Sequence, residues 1–320
     1  MPRVSTPPFL HLPEGVRDEP VVTSRGTFAA LRAGPDPDGD RGTVLLVPGF
    51  TGSKEDFIAV LAPIGAAGFP VVAYDQRGQH GTAALSPGPP VEGWCLEAYA
   101  HDLLAVSEAV GGPEGEDGVG SVHLLGHSFG GLVAREAVLE HGAAFRSLVL
   151  LDSGPAHIGP HRDAQLLALA DGLPTLGLGT VWGIMQALEV EAGNHPPEDP
   201  EIAAFLEQRF LAHDPESLAA MARLLATEPD RTDELVQALR AASGPGGRVL
   251  VAFGEDDDAW SPEIQQETAS RLGVPAVSFA EAAHSPAAEA PGPTATTLVA
   301  FWDRSEGAEQ PPQAEEELWQ

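Results

Sequence analysis

Residues Val122-His123-Leu124-Leu125-Gly126-His127-Ser128-Phe129-Gly130-Gly131-Leu132-Val133 constrain this chain more than any other stretch. An apolar run, Val122 to Leu125, stops abruptly at Gly126. A second, helix-spaced apolar run begins at Leu132 and continues through Val133, Ala134, Ala137 and Val138. The succession reads as a strand, a very tight turn and a helix. The turn carries Gly126-x-Ser128-x-Gly130. Side chains two positions either side of the serine would collide with the neighbouring strand or helix, which explains the glycines.

This is the pattern of a nucleophile elbow, in the strand-turn-helix context the motif needs. The tight turn forces a strained backbone on Ser128 and leaves its hydroxyl clear at the tip. The helix that follows points its N-terminal amides beside Ser128, where they favour a developing negative charge. The Phe129 N–H, directly after the serine, is then one oxyanion donor.

The strands around this stretch share one character. Thr43–Val47, Pro70–Tyr74, Ser147–Leu151 and Arg248–Phe253 are nearly continuous apolar runs, as expected of strands buried on both faces. Helices are expected over about Lys54–Ala67, where Ser53 and Asp56 approach a capping box, and over Leu96–Val110. A hairpin is expected within Val21–Ala33, and a turn at Pro35–Asp40. The Gly/Glu/Asp-rich segment 111–120 reads as a solvated loop. Strand and helix alternate, which predicts a parallel sheet covered by helices on both faces, with chemistry at the carboxyl ends of its strands.

After Asp152 the rhythm changes. Helical segments are expected at 164–170, 181–190, 201–212, 216–226 and 232–242, separated by proline and glycine. They read as an insertion over the strand ends, whose Leu166, Leu169, Leu176, Trp182, Ile184, Met185 and Leu188 are candidates to line a pocket. Gly244-Pro245-Gly246-Gly247 marks the return to the core. Ser261 and Pro262 then start a helix, Ala276–Phe279 is a final strand, and a last helix reaches Trp302. The division is therefore an irregular arm at 1–20, a core at 21–153 and 244–303, a helical cap at 154–243 and an acidic, disordered tail at 304–320.

A serine hydroxyl needs a base, and the base needs a carboxylate to hold its tautomer. Of 11 histidines, His284 follows a core strand in a loop where the other functional loops converge. Asp256, Asp257 and Asp258 all follow the strand ending at Phe253, and Asp152 ends the strand after the elbow. The order Ser…Asp…His is one of the known triad orders. A metal reading of His157-x-x-x-His161 with Asp163 is set aside because Gly159 and Pro160 interrupt the helix it needs.

With these residues in view, the chain resembles the α/β-hydrolase-fold superfamily, in its serine esterase and lipase-like form with a helical cap, over about Val21 to Trp302. The acid loop of that family often reads Gly-x-x-Asp, which places the acid on Asp257 and leaves Asp152 as the alternative. Ala283-His284-Ser285-Pro286 resembles the family's histidine motif. Pro48-Gly49-Phe50 matches the family's His-Gly-x oxyanion loop, with Pro48 in place of histidine, and puts the second donor on the Phe50 N–H. The Asp75-x-Arg77-Gly78 turn resembles a structural turn of the family and is assigned no chemistry. The resemblance implies a serine hydrolase that cleaves a carboxylic ester, or a related acyl bond, of an uncharged or hydrophobic small molecule. Lyases, carbon–carbon bond hydrolases, acyltransferases and cofactor-free perhydrolases share the scaffold, and a non-catalytic ligand-binding module is the third possibility.

Composition narrows the partners. The chain has 47 acidic against 17 basic residues, a formal net charge of −30. That balance opposes nucleic-acid and anionic-membrane binding. The lone Cys95 excludes an internal disulfide. The first twenty residues lack the apolar core of a secretory signal, and no apolar stretch reads as long enough to span a bilayer. The expectation is a soluble cytoplasmic enzyme that uses neither cofactor nor metal.

Overall fold

The structure is a computed structural model that describes residues 4–37, 41–111, 120–191, 193, 196–243 and 248–307. Most of the expected loop at 111–120, the end of the Pro35–Asp40 turn, the Gly244–Gly247 return and residues 308–320 of the expected tail lie outside the described residues.

Four short strands come first: β1 (Arg17–Asp18), β2 (Val21–Thr23), β3 (Gly26–Phe28) and β4 (Ala30–Ala33). β2 and β3 pair as the expected hairpin. Then follow β5 (Thr43–Val47), a 3-10 turn (Lys54–Phe57) running into α1 (Ile58–Ala66), β6 (Val71–Tyr74), α2 (His80–Leu85), α3 (Leu96–Val110), β7 (Val122–His127), α4 (Phe129–His141) and β8 (Phe145–Leu151). Four helices intervene: α5 (Pro160–Glu191), α6 (Pro200–Leu211), α7 (Pro215–Thr227) and α8 (Thr232–Ser243). The chain closes with β9 (Val249–Gly254), α9 (Pro262–Leu272), β10 (Ala276–Phe279), α10 (Pro286–Glu289) and α11 (Pro291–Ser305).

Eight strands form one sheet in the order β1-β4-β6-β5-β7-β8-β9-β10. All pairs from β6 to β10 are parallel, while β4 and β1 add antiparallel at the edge. Alternation along each strand splits the core into two layers. Leu45, Val47 and Leu124 face the layer that contains α3 and α4. Val44, Leu46 and Leu125 face the layer that contains α1 and α11. All five residues of β5 are buried. Each of its valine and leucine side chains contributes about 1.5–3 kcal/mol by leaving water. Every parallel strand ends on the same side, so the loops after β5, β7, β8, β9 and β10 converge there.

Four findings modify the expectations. First, the two helical segments at 164–170 and 181–190 belong to one run, α5. It turns at Gly177, whose φ of 74° and ψ of 158° are non-helical, and it contains Pro174. α5 is also long and apolar enough to cross a membrane by length and composition, with a mean hydropathy of 1.2, against the expectation that no stretch is. Its buried side, including Leu166, Leu173 and Met185, packs on α7. Second, α8 packs against α4 and α9, so the last helix of the insertion flanks the sheet. Third, the arm at 1–20 is partly ordered strand, because Arg17 and Asp18 pair with Arg32 and Leu31. Fourth, α11 continues to Ser305 and the next residue, Glu306, is tied to the sheet. It accepts from Gly42 N–H (2.8 Å) and from His123 Nε2 (2.8 Å) and pairs with Arg146. Residues 304–307 are therefore part of the folded body, not of a tail.

Candidate active site

The elbow has the geometry its sequence demands. Ser128 sits between β7 and α4 with φ 54° and ψ −121°, a conformation that non-glycine residues rarely take. A Cβ on Gly126 would lie 2.3 Å from the Gly130 oxygen, and one on Gly130 would lie 2.4 Å from the Val47 oxygen. Neither position tolerates a side chain. The strained residue is clamped from β8: its N–H donates to Leu151 O (3.0 Å), and Ser153 Oγ donates to Ser128 O (2.9 Å).

His284, in the loop after β10, reaches the serine. Its Nε2 lies 2.9 Å from Ser128 Oγ, and its Nδ1 lies 2.8 Å from Asp257 Oδ1. Facing an ionised carboxylate, Nδ1 carries the proton and donates, which leaves Nε2 as acceptor for the serine O–H. Burial works against a charged His284 ring, but the Asp257 charge and hydrogen bond outweigh it, and its pKa lies above the usual 6.5. Asp257 is itself fixed on both oxygens. Oδ1 also accepts from Ala259 N–H (2.8 Å), and Oδ2 accepts from the Gln265 side-chain amide (2.7 Å). Asp256 and Asp258, the other acids of the run, make no hydrogen bond to His284; Asp258 pairs with Arg162 at 3.1 Å.

Asp152 lies next to this array. Its Oδ1 accepts from Gly254 N–H (2.9 Å), and its φ is 45°. Its Oδ2 is buried and finds no donor among the described residues. Burial and then the neighbouring Asp257 charge hold the Asp152 carboxyl well above the usual carboxylate range, which favours its neutral form.

Phe50, in the loop after β5, and Ser128 line the same pocket. The loop passes directly against the serine: a Cβ on Gly49 would lie 2.9 Å from Ser128 Cβ. Phe129 is the first residue of α4, where a helix leaves its N–H groups without intrahelical acceptors. Val4, Ile158, Met185 and Leu225 supply apolar wall. Among the insertion residues named from sequence, Met185 reaches the pocket, Leu166 and Leu169 are buried in packing, and Leu176, Ile184 and Leu188 are exposed on α5.

Sequence reasoning missed several contributors. Val4 and Ser5, in the arm, form part of the pocket wall. They are held because Arg209 of α6 donates to Ser5 O (2.7 Å) while pairing with Asp56 Oδ1 (2.7 Å). His127, inside the elbow, donates from Nε2 to His284 O (2.6 Å). Burial and then the nearby His284 push its pKa down to about 3, so it stays neutral. Gln76, in the Asp75–Gly78 turn assigned no chemistry, and Gln79, directly after it, hold the Pro48-Gly49-Phe50 loop. Gln76 Nε2 donates to Pro48 O (2.8 Å) and Gln79 Nε2 to Gly49 O (2.7 Å). No periodicity or motif marks these residues.

Two groups of potential metal ligands come together among the described residues: Glu55, Asp75 and His80, and Asp152, Asp257 and His284. The first already surrounds a cation, because the Lys54 ammonium lies 2.7 Å from Glu55 and 3.3 Å from Asp75. The second is the array just described. His157 and Asp163, from the sequence pattern set aside earlier, bond each other at 2.7 Å.

A parallel sheet with a strained serine at a strand-to-helix elbow, and a histidine and an acid on later strand-end loops, defines the class of α/β hydrolases. The chain belongs to the alpha/beta hydrolase family, whose model matches residues 44–297. Among curated proteins, it is 35% identical over 133 residues to a protein of Variovorax paradoxus named "Putative carbamate hydrolase RutD", covering 41% of this chain and 46% of that one. A protein of the same name from Pantoea ananatis is 33% identical over 113 residues, 35% of this chain and 37% of that one. The match thus spans less than half the length of either relative. Among solved structures, a thermophilic esterase from Thermogutta terrifontis superposes with a TM-score of 0.67 at 24% identity, covering 91% of this chain and 99% of that one. An enol-lactonase from Burkholderia xenovorans gives 0.67 at 19%, covering 88% and 99%. At these identities the likeness concerns the fold.

Proposed function

We propose that the protein hydrolyses an acyl bond, in the first place a carboxylic ester of an uncharged, largely apolar small molecule. The observation that carries this reading is the continuous relay from Asp257 through His284 to Ser128, with contacts of 2.8 and 2.9 Å. Ser128 attacks the carbonyl carbon as its proton passes to His284 Nε2. The Asp257 carboxylate stabilises the imidazolium that forms. The N–H groups of Phe50 and Phe129 receive the oxyanion, each such donor being worth about 3 kcal/mol in the transition state. The imidazolium then protonates the leaving alcohol, and a water deprotonated by His284 cleaves the acyl-enzyme.

The preference for uncharged substrates rests on the pocket wall. No lysine or arginine lines it among the described residues, and the carboxylate that does, Asp56, is already paired with Arg209. A substrate carboxylate would find no counter-ion there and would face the negative field of the whole protein. The helices between β8 and β9 act in this reading as a cap whose Ile158, Met185 and Leu225 select the apolar portion.

A carbamate is the second reading, favoured by the two curated relatives of that name. Its carbonyl can be attacked by the same serine. Labelling with a fluorophosphonate, followed by intact mass, tests the shared core: one adduct on the wild type and none on Ser128→Ala is expected. Absence of an adduct on the wild type would remove both readings. Turnover of p-nitrophenyl esters of rising acyl length, set beside the matching carbamates, separates the two.

A further inference from the structure

The loop proposed to hold the oxyanion begins with proline, where the family pattern has histidine. Pro48 has no N–H, so the loop loses one means of fixing itself. What fixes it here comes from the turn after β6. Gln79 is fully buried and is held at both ends of its amide. Its Oε1 accepts from Gln76 N–H (3.0 Å), and its Nε2 donates to Gly49 O (2.7 Å). One partner is an obligate donor and the other an obligate acceptor, so the amide has one permitted orientation. Gln76, also buried, donates from Nε2 to Pro48 O (2.8 Å).

A trans peptide points its C=O and its N–H in opposite directions. With Gly49 C=O drawn to Gln79, the N–H of the same peptide unit, which belongs to Phe50, is turned the other way. Gly49 O also accepts from Gly52 N–H (3.2 Å), which closes a turn, and Thr51 in that turn has a φ of 57°. Were this peptide reversed, its C=O and N–H would exchange directions, and the Phe50 N–H would be withdrawn.

We propose that Gln79, assisted by Gln76, is a positioning residue that locks the Gly49–Phe50 peptide with its N–H toward the oxyanion. This inference rests on the acyl-transfer reading above. The locking is preorganisation: the donor is aimed before charge develops, and no reorganisation is needed at the moment of reaction. It also gives a role to a turn whose sequence reads as purely structural.

The experiment compares Gln79→Met and Gln79→Glu with the wild type on an oxo ester and on its thiono counterpart, in which C=S replaces C=O. Met keeps the volume and loses the donor. The expected result is a fall in kcat of about 100-fold with KM little changed, together with loss of the wild-type preference for the oxo ester. Gln79→Glu tests the hydrogen itself. When protonated, the carboxyl it introduces can donate to Gly49 O while its other oxygen accepts from Gln76 N–H; when ionised, it cannot donate. The ratio of variant to wild-type kcat is expected to rise as pH falls. A wild-type-like kcat in Gln79→Met overturns the proposal. So does a lowered kcat with unchanged oxo-to-thiono preference, which is what a merely structural defect would give. If Gln79→Met does not fold, a pH-independent ratio in Gln79→Glu overturns it. An unlabelled, inactive wild type removes the acyl-transfer reading and this inference with it, whereas an active wild type with a normal Gln79→Met removes this inference alone.

Discussion

Asp152 and Asp257 lie side by side beneath the His284 imidazole, with one carboxyl oxygen from each and a ring nitrogen all within 4.8 Å of one another. They come from the ends of adjacent strands, β8 and β9. Two ionised carboxylates cannot share so buried a space, and the structure divides the work between them. Asp257 makes the hydrogen bond to Nδ1, while burial and the Asp257 charge push the Asp152 carboxyl toward its neutral form. Asp257→Asn should therefore lower kcat by about 10⁴-fold, because the amide can no longer hold the Nδ1–H tautomer. Asp152→Asn puts a neutral amide where the carboxyl is pushed toward its neutral form, and should stay within a few-fold of the wild type. Steady-state kinetics on a chromogenic ester decides. The reverse ranking would move the acid to Asp152.

The same division has a signature in stability. The folded-state pKa of Asp152 is raised, so its contribution is fully present below the ordinary carboxylate pKa and is lost as pH rises through the folded value. Asp152→Asn has no such proton to lose. Urea unfolding of the two proteins at a series of pH values from 4 to 8 should show the variant gaining on the wild type as pH rises. Parallel curves would mean that Asp152 is ionised in the folded protein.

In the proposed acyl transfer, His284 must be neutral to accept the serine proton. Its pKa is raised because the Asp257 charge and hydrogen bond outweigh the opposing effect of burial. The acid limb of kcat/KM should accordingly have its midpoint above 6.5, the ordinary imidazole value. In Asp257→Asn the raising influence is removed and burial remains, so the midpoint of the residual activity should move down. A pH–rate profile of both proteins checks this, and an unmoved midpoint would detach the titration from the Asp257–His284 pair.

The parts of this arrangement that were legible in the sequence are the parts dictated by local sterics and hydrophobic pattern. Gly126 and Gly130 announce the elbow because no side chain fits there, and four successive apolar residues in β5 announce a strand buried on both faces. What was not legible depends on contacts between distant segments. Gln76 and Gln79 matter only because the turn after β6 passes beneath the loop after β5. Val4 and Ser5 reach the pocket only because Arg209, two hundred residues later, catches the Ser5 carbonyl. α2 was not expected, since His80-Gly81-Thr82 is a poor helix former. It forms because Thr82 Oγ1 donates to Asp75 O (2.8 Å) and accepts from Ala29 N–H (2.9 Å).

The Arg209–Asp56 pair joins the α6 helix, the turn before α1 and the arm. Both side chains are almost wholly buried, at 1% and 3% exposure. Burial lifts the Asp56 pKa to about 6 even with Arg209 opposing it. Removing only the cation leaves a buried acid unpaired, a loss of about 3–5 kcal/mol. Arg209→Met should show that loss in urea unfolding, and Asp56→Asn added to it should restore much of the stability. Because Arg209 also pins the Ser5 carbonyl, the single variant should raise KM for longer acyl chains more than it lowers kcat. Equal effects on short and long substrates would separate the arm from the pocket.

Glu306 provides the opposite case, a residue important to the fold and remote from the chemistry. It binds His123 and Gly42 at the amino ends of β7 and β5, whereas Ser128 stands past the carboxyl end of β7. Six strand residues separate the two ends by about 17 Å. Burial opposes ionisation of Glu306, but the His123 hydrogen bond prevails and draws its pKa down to about 2. Glu306→Ala leaves the His123 ring, which is fully buried, without its partner on Nε2, a cost of about 1–3 kcal/mol. Well below the melting temperature its kcat should match the wild type, since no residue near Ser128 changes. The depressed carboxylate contributes stability that is present above its unfolded value of 4.5 and is lost as pH falls toward 2. The gap between the two unfolding curves should therefore narrow across that window. A gap of constant size down to the lower pH would show that Glu306 acts through packing and not through its charge.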